Sequence, residues 1–151
     1  MTAPDPSAHL HALLADEGIG PGYPDAVHAE VAAWIENPQI DAPDLDDRTD
    51  VPFVTVDGPG TRDLDQALFV ERRGSGYGVQ YAIADASFFA PARSALFEES
   101  LRRGASYYLP GSAVPMLPRA LSEDLVSLGE GVDRRAMVFD MTLDAQGVCT
   151  K

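Results

Sequence analysis

A change of hydrophobic period at Pro38 constrains this chain more than any other feature. Before it, apolar residues recur at helical spacing. Leu10, Leu13 and Leu14 predict a helix from Ser7 to about Glu17, with Ser7 as its cap. Gly18, Gly20, Pro21 and Gly22 end it. Val27, Val31, Trp34 and Ile35 predict a second helix from about Asp25 to Asn37, which Pro38 stops. From Val51 onward the pattern is β. Phe53–Val56 reads as a short strand, and the runs 67–72 and 77–84 read as a hairpin around Gly74 and Gly76. A chain written this way needs helices and a sheet in separate stretches, which is an α+β arrangement.

The rest of the β-type region is punctuated in the same manner. Asp85–Pro91 reads as a loop. Ser94 to about Arg103 reads as an amphipathic helix with Leu96, Phe97 and Leu101 inward, closed by Gly104. Prolines hold Tyr107–Pro110 and Val114–Pro118 extended. A short helix follows near Ser122–Leu128, then a strand from about Arg135 to Leu143, a turn at Asp144–Gly147 and the start of a returning strand. Residues 1–6 read as a proline-broken tail, and residues 38–50 as an acidic linker whose five aspartates lack the spacing and glycine of an EF-hand. The division expected is residues 1–50, helical segment and linker, and residues 51–151, the β-rich part.

Charge narrows the function. The net charge is −13, which opposes general binding to nucleic acid through Lys and Arg. Residues 1–56 hold eleven acidic side chains against Arg48 alone, so the two N-terminal helices are a poor DNA-binding helix-turn-helix. The arginine pairs 72–73, 102–103 and 134–135 fall in the later part, where they read either as a local basic surface or as ordinary solvated arginines. A single cysteine, Cys149, excludes a disulfide framework and a cysteine zinc site. No apolar run is long enough to span a membrane, and residues 1–6 do not begin a signal peptide. The expectation is a cytoplasmic protein with no membrane partner.

The chemistry concentrates in one loop. Asp57, Asp63, Asp65 and Gln66 lie within ten residues in Val56-Asp-Gly-Pro-Gly-Thr-Arg-Asp-Leu-Asp-Gln66. Carboxylates crowded this closely repel each other unless a cation lies among them. Carboxylate oxygens suit Mg²⁺, which commonly serves phosphate chemistry, with Gln66 a neutral possible ligand. On residue types alone, a metal site and a structural acidic loop remain equal readings. Arg62, inside the loop, can neutralise the carboxylates, contact phosphate or face solvent.

Five separate stretches, in order, resemble the catalytic domain of the ribonuclease II (RNB) family. They are Thr55-Val-Asp-Gly-Pro-Gly-Thr-Arg-Asp-Leu-Asp-Gln-Ala-Leu68, Ala82-Ile-Ala-Asp-Ala-Ser87, Arg103-Gly-Ala-Ser-Tyr-Tyr-Leu-Pro110, Pro115-Met-Leu-Pro118 and Leu121-Ser-Glu-Asp-Leu-Val-Ser-Leu128. The resemblance implies an α+β fold: an N-terminal helical segment followed by a partial RNB-type mixed β-sheet with flanking helices. It implies a Mg²⁺-dependent 3′–5′ exoribonuclease chemistry that hydrolyses single-stranded RNA to nucleoside 5′-monophosphates. By position, Asp57, Asp63 and Asp65 match three of the family's four acidic residues. Gln66 occupies the fourth, usually aspartate, so the implied metal set is Asp57, Asp63, Asp65 and Gln66, with Asp63 and Asp65 catalytic. Tyr108 matches a position that helps hold RNA, and Arg62 is the second candidate RNA contact; stacking one base on an aromatic ring contributes about 1–3 kcal/mol. The family's later segments, which supply a phosphate-binding arginine and more of the RNA channel, are not among these residues. The resemblance thus implies a missing or separately encoded C-terminal catalytic half as partner, and no activity for residues 1–151 alone. The alternative is a non-catalytic RNB remnant that binds metal or RNA weakly.

Overall fold

Pro6 opens the first helix in the computed structural model, which describes residues 6–151. The proline-broken tail expected over residues 1–6 otherwise lies outside the described residues. Helix α1 spans Pro6–Asp16, so Ser7 lies within the helix rather than ahead of it. Its C-terminus closes in a Schellman pattern. The Gly18 N–H bonds the Ala15 carbonyl at 2.9 Å and the Ile19 N–H bonds the Leu14 carbonyl at 2.7 Å, with Gly18 at φ +75°. Helix α2 spans Asp25–Glu36, with Asn37 as its C-cap and Pro38 next. Val27 and Val31 are buried, whereas Ile35, expected on the same stripe, is exposed.

The described residues group into two compact units. The first combines the stretch through Asn37 with Ser87–Leu121; the second combines Pro38–Ala86 with Ser122–Lys151. In the first, the ring of Trp34 packs on Phe88 and Phe89 with centroids 5.3 and 5.5 Å away. Both phenylalanines belong to α3, Ala86–Phe89, a short helix inside what reads in sequence as a loop. Helix α4, Ala95–Arg103, has the expected ends: the Ser94 hydroxyl accepts the Phe97 N–H at 3.0 Å, and Gly104 turns out at φ 71°. Its buried stripe differs from the apolar one expected. Leu96, Glu99 and Arg103 are buried, and Leu101 is 62% exposed.

That charged stripe holds the first unit together. The Arg103 guanidinium donates to Glu99 at 2.7 Å, to the Pro115 carbonyl at 3.1 Å and to the Gly22 carbonyl, and its Cζ lies 3.9 Å from the Tyr23 ring centroid. Tyr23 donates its hydroxyl to the same Pro115 carbonyl at 2.7 Å. The α4 N-terminus is satisfied from α2, where the Glu30 carboxylate accepts the N–H groups of Ala95 and Leu96 at 2.7 and 2.8 Å. Beyond α4, β3 (Tyr107–Leu109) and β4 (Ser112–Val114) pair antiparallel. Pro110 and Gly111, the latter at φ +76°, make the turn, which is type II chemistry.

The second unit is built on a three-stranded sheet in the order β1-β2-β5: β1 Gln66–Arg73, β2 Gly76–Ala84 and β5 Ala136–Leu143. The α+β class expected from the sequence holds, with both pairings antiparallel. The hairpin loop is Gly74-Ser75, positive in φ at Gly74 only, the type II′ pattern. The strand expected at Phe53–Val56 reduces to one bridge, Val54 to Leu68, because Pro52 and the Gly-Pro-Gly turn flank it closely. The helix expected at Ser122–Leu128 is a single π-helical turn, Leu121–Leu125. After β5 the chain returns as expected: Asp144 caps its turn, and Thr142 exchanges backbone bonds with Thr150 and Lys151.

Two of the paired arginines are not solvated surface. Arg103 and Arg135 are buried, and Arg135 donates to the Gln39 carbonyl at 2.7 Å. Among the described residues, no helix is long and apolar enough to cross a membrane.

Candidate functional site

The acidic loop is shaped by a type II turn. Pro59 and Gly60 occupy its central positions, Gly60 at φ +87°, and the Thr61 N–H closes it on the Gly58 carbonyl at 3.1 Å. Reversal here brings the segment before it, carrying Asp57, back toward the segment after it, carrying Asp63 and Asp65. The second segment is pinned from the C-terminal part of the same unit. Ser127, buried, donates its hydroxyl to the Arg62 carbonyl at 2.6 Å and accepts the Leu64 N–H at 3.1 Å. The Leu128 N–H bonds the Leu64 carbonyl at 2.9 Å, and the Asp65 carbonyl accepts the Ala84 N–H at 2.9 Å. Asp65 thus sits at the mouth of β1, in line with the sheet.

One pocket is lined by Val56, Asp57, Asp63, Asp65, Gln66, Leu68 and Tyr81. All four side chains singled out in the loop therefore meet at one place. Their electrostatics register the crowding: burial first, then the negative charges of Asp63 and Asp57, push the Asp65 carboxyl above its usual range. The Gln66 side-chain carbonyl accepts a hydrogen bond from the Tyr81 hydroxyl. Register explains how they meet. Gln66 pairs with Ile83 and Leu68 with Tyr81, so Gln66 and Tyr81 are diagonal neighbours on one sheet face.

The donors in the pocket are carboxylate and amide oxygens, the chemistry of a hard cation. Among the described residues, no group of three or more His, Cys, Asp or Glu is arranged to hold an ion by itself. Mg²⁺ does not require such a cage. It is usually bound through one or two carboxylates, with waters and substrate phosphates completing the octahedron. The pocket fits Mg²⁺ on those terms.

Neither candidate RNA contact is among the residues that line this pocket. Arg62 lies outside the pocket lining, is 75% exposed along its side chain and has Glu123 3.6 Å away, so its ionic neighbour is not one of the three aspartates. Tyr108 lies on β3 in the other unit and is 76% exposed. Two residues that shape the site escape sequence reasoning. Tyr81 reads only as an apolar strand residue. Ser127 reads only as part of a helix, although its place in the Leu-Val-Ser-Leu stretch is the available signal.

The RNB domain family matches residues 45–151, and the chain belongs to that family. It is 40% identical to Ribonuclease R of Escherichia coli over 130 residues, which is 85% of this chain and 16% of that protein. It is 36% identical over 146 residues to Exoribonuclease 2 of Psychromonas ingrahamii, covering 96% of this chain and 21% of the relative. In structure it resembles Mycoplasma genitalium RNase R, solved in complex with ribose-methylated single-stranded RNA. The TM-score is 0.87 at 31% identity, covering 98% of this chain and 23% of that one. The chain thus spans about a sixth to a quarter of these three proteins' length.

Proposed function

We infer that this chain supplies the acidic metal loop of a Mg²⁺-dependent 3′–5′ exoribonuclease that cuts single-stranded RNA to nucleoside 5′-monophosphates. The observation that carries this reading is the convergence of Asp57, Asp63 and Asp65 on one pocket in a chain of the RNB family. The RNA in the complex of the structural relative supports the choice of substrate. Bound Mg²⁺ would supply positive charge at the phosphodiester and lower the pKa of water. Asp57 and Asp63 would hold the ion directly or through water. Asp65, set by its backbone bond to β2, would orient the attacking water. Exposed Tyr108 would stack a base, and Arg62 would reach a phosphate.

The division at residue 50 belongs to the same proposal: a helical segment and acidic linker, then the N-terminal portion of the catalytic domain. The family match beginning at residue 45 supports it. That the catalytic part is only a portion is supported by the sheet face that carries Leu68, Val70, Val79, Ile83, Phe139 and Met141. Val70 and Phe139 on it are about half exposed, an apolar face suited to further polypeptide of the catalytic domain, continuous or separately encoded. A cytoplasmic site of action fits RNA turnover.

The neutral Gln66 favours a second reading, a non-catalytic module that binds Mg²⁺ or RNA weakly. A chimera separates the two: this chain replaces the matched segment of Escherichia coli Ribonuclease R, and 5′-labelled poly(A) is incubated with Mg²⁺. Progressive shortening by the chimera, lost in Asp65→Asn, is the expected result. No shortening by a folded chimera sinks the catalytic reading and leaves the binding module.

A further inference from the structure

Four consecutive peptide planes run under Asp63 and Asp65, and each is tied by a hydrogen bond. The plane before Asp63 carries the Arg62 carbonyl, which accepts the Ser127 hydroxyl at 2.6 Å. The plane after it carries the Leu64 N–H, which donates to the same oxygen at 3.1 Å. The next two carry the carbonyls of Leu64 and Asp65, which accept the N–H groups of Leu128 and Ala84, each at 2.9 Å. The two soft backbone dihedrals of a residue lie between the planes on either side of it. One hydroxyl therefore fixes both dihedrals of Asp63. We propose that Ser127 is a positioning residue of the cation pocket, whose hydroxyl locks the backbone of Asp63 so that the carboxylates are gathered before an ion arrives. The inference rests on the cation reading of the pocket given above.

The pocket needs such a lock. Asp57, Asp63 and Asp65 line it together, and like charges this close repel each other until a cation binds among them. Left free, the loop would open, and the ion would bind more weakly by the work of drawing it together again. Serine suits the task because one hydroxyl donates and accepts at once. Ser127 is only 4% exposed, which shields both bonds from competing water. It is not among the residues lining the pocket, so its effect on an ion runs through Asp63.

The holder is itself held. The Ser127 N–H donates to the Asp124 carbonyl at 3.1 Å, and the Ser127 carbonyl accepts the Gly129 N–H at 2.8 Å. Arg134 anchors Asp124 twice, through its carbonyl at 3.0 Å and its carboxylate at 3.0 Å. An unbroken series of bonds thus runs from Arg134 through Asp124 and Ser127 to the backbone of Asp63.

Mn²⁺ binding to the whole chain, followed by electron paramagnetic resonance, tests this without a catalytic assay. Ser127→Ala should weaken Mn²⁺ about tenfold, as loss of a ligand's support does. Asp63→Ala should weaken it by removing the ligand. Adding Ser127→Ala to Asp63→Ala should then change the Kd by less than about twofold, because the residue through which Ser127 acts is gone. General damage to the fold would instead multiply the two losses. If circular dichroism shows Ser127→Ala unfolded, Arg134→Met takes its place in the same cycle: about threefold weaker binding in the wild-type background and less than about twofold in Asp63→Ala. Binding within about twofold of the wild type for Ser127→Ala, or the same loss in both backgrounds, overturns the proposal. A different failure marks the underlying reading: Mn²⁺ binding that is absent from the wild type or unaffected by Asp63→Ala means the pocket is no cation site, which removes the proposal with it.

Discussion

Replacing Arg103 by methionine removes the guanidinium from the centre of the first unit while keeping a side chain of similar length. The side chain of Arg103 is fully shielded from solvent. Its loss leaves Glu99, 5% exposed, short of one partner. Orphaning a buried charge completely costs about 3–5 kcal/mol. The loss here is smaller on that count, because Arg102 still donates to both Glu99 oxygens at 2.9 and 2.6 Å. The Pro115 carbonyl also keeps its bond from Tyr23. Against this, the Gly22 carbonyl loses its donor and the Tyr23 ring loses its cation. The balance is a destabilisation of about 3 kcal/mol, a large share of the stability of a typical domain. At a urea m-value of about 2 kcal/mol/M, the midpoint falls by about 1.5 M.

Trp34, the single tryptophan, packs on Phe88 and Phe89 in the same unit. Its fluorescence during urea unfolding therefore reads this unit, a necessary choice where two units need not unfold together. The double variant Glu99→Leu/Arg103→Met removes both charges and should return to within about 1 kcal/mol of the wild type. A loss below about 1 kcal/mol for Arg103→Met alone would refute the clamp. A double variant as unstable as the sum of its parts would place the cost in packing, not in the orphaned charge.

Three further outcomes follow from the same geometry. Glu30→Ala removes the acceptor of the Ala95 and Leu96 N–H groups and should cost about 1–2 kcal/mol in the Trp34-monitored transition. Hydrogen bonds from Arg102, opposed by burial and reinforced by Arg103, hold the Glu99 carboxyl below its usual 4.5. Its stabilisation is therefore complete above pH 4.5 and is lost as pH falls through the depressed value, so Glu99→Gln should flatten the acid limb of a stability–pH profile. Ser127→Ala strips the clamp from Arg62 and Leu64. It should cost about 1–3 kcal/mol and weaken Mn²⁺ binding, seen by calorimetry on the same samples.

What could be read from the sequence is what neighbours along the chain decide. Gly18 and Gly104 mark helix ends, Ser94 caps α4, and Gly74 marks the hairpin; each works within a few residues. The acidic loop was legible for the same reason, since Pro59 and Gly60 make its turn and its carboxylates lie within ten residues. The inward face of α4 was not. A rule that places apolar residues inside selects Leu101, yet Glu99 and Arg103 go in, because Arg103 donates both to Glu99 and to the Gly22 and Pro115 carbonyls, which are remote in sequence. The burial of Arg135 fails the rule likewise, its acceptor being the Gln39 carbonyl.

The pairing of Gln66 with Tyr81 lies between these cases. The two are fifteen residues apart, yet a purely local event determines their meeting. A two-residue loop at Gly74-Ser75 pairs Arg73 with Gly76, and an unbulged hairpin must then pair Leu68 with Tyr81 and Gln66 with Ile83. A longer loop that shifted the register by one residue would put Tyr81 on the opposite sheet face from Gln66 and take it out of the pocket lining. The meeting of Gln66 and Tyr81 in one pocket is in this sense written at the far end of the hairpin, in the glycine that makes its turn.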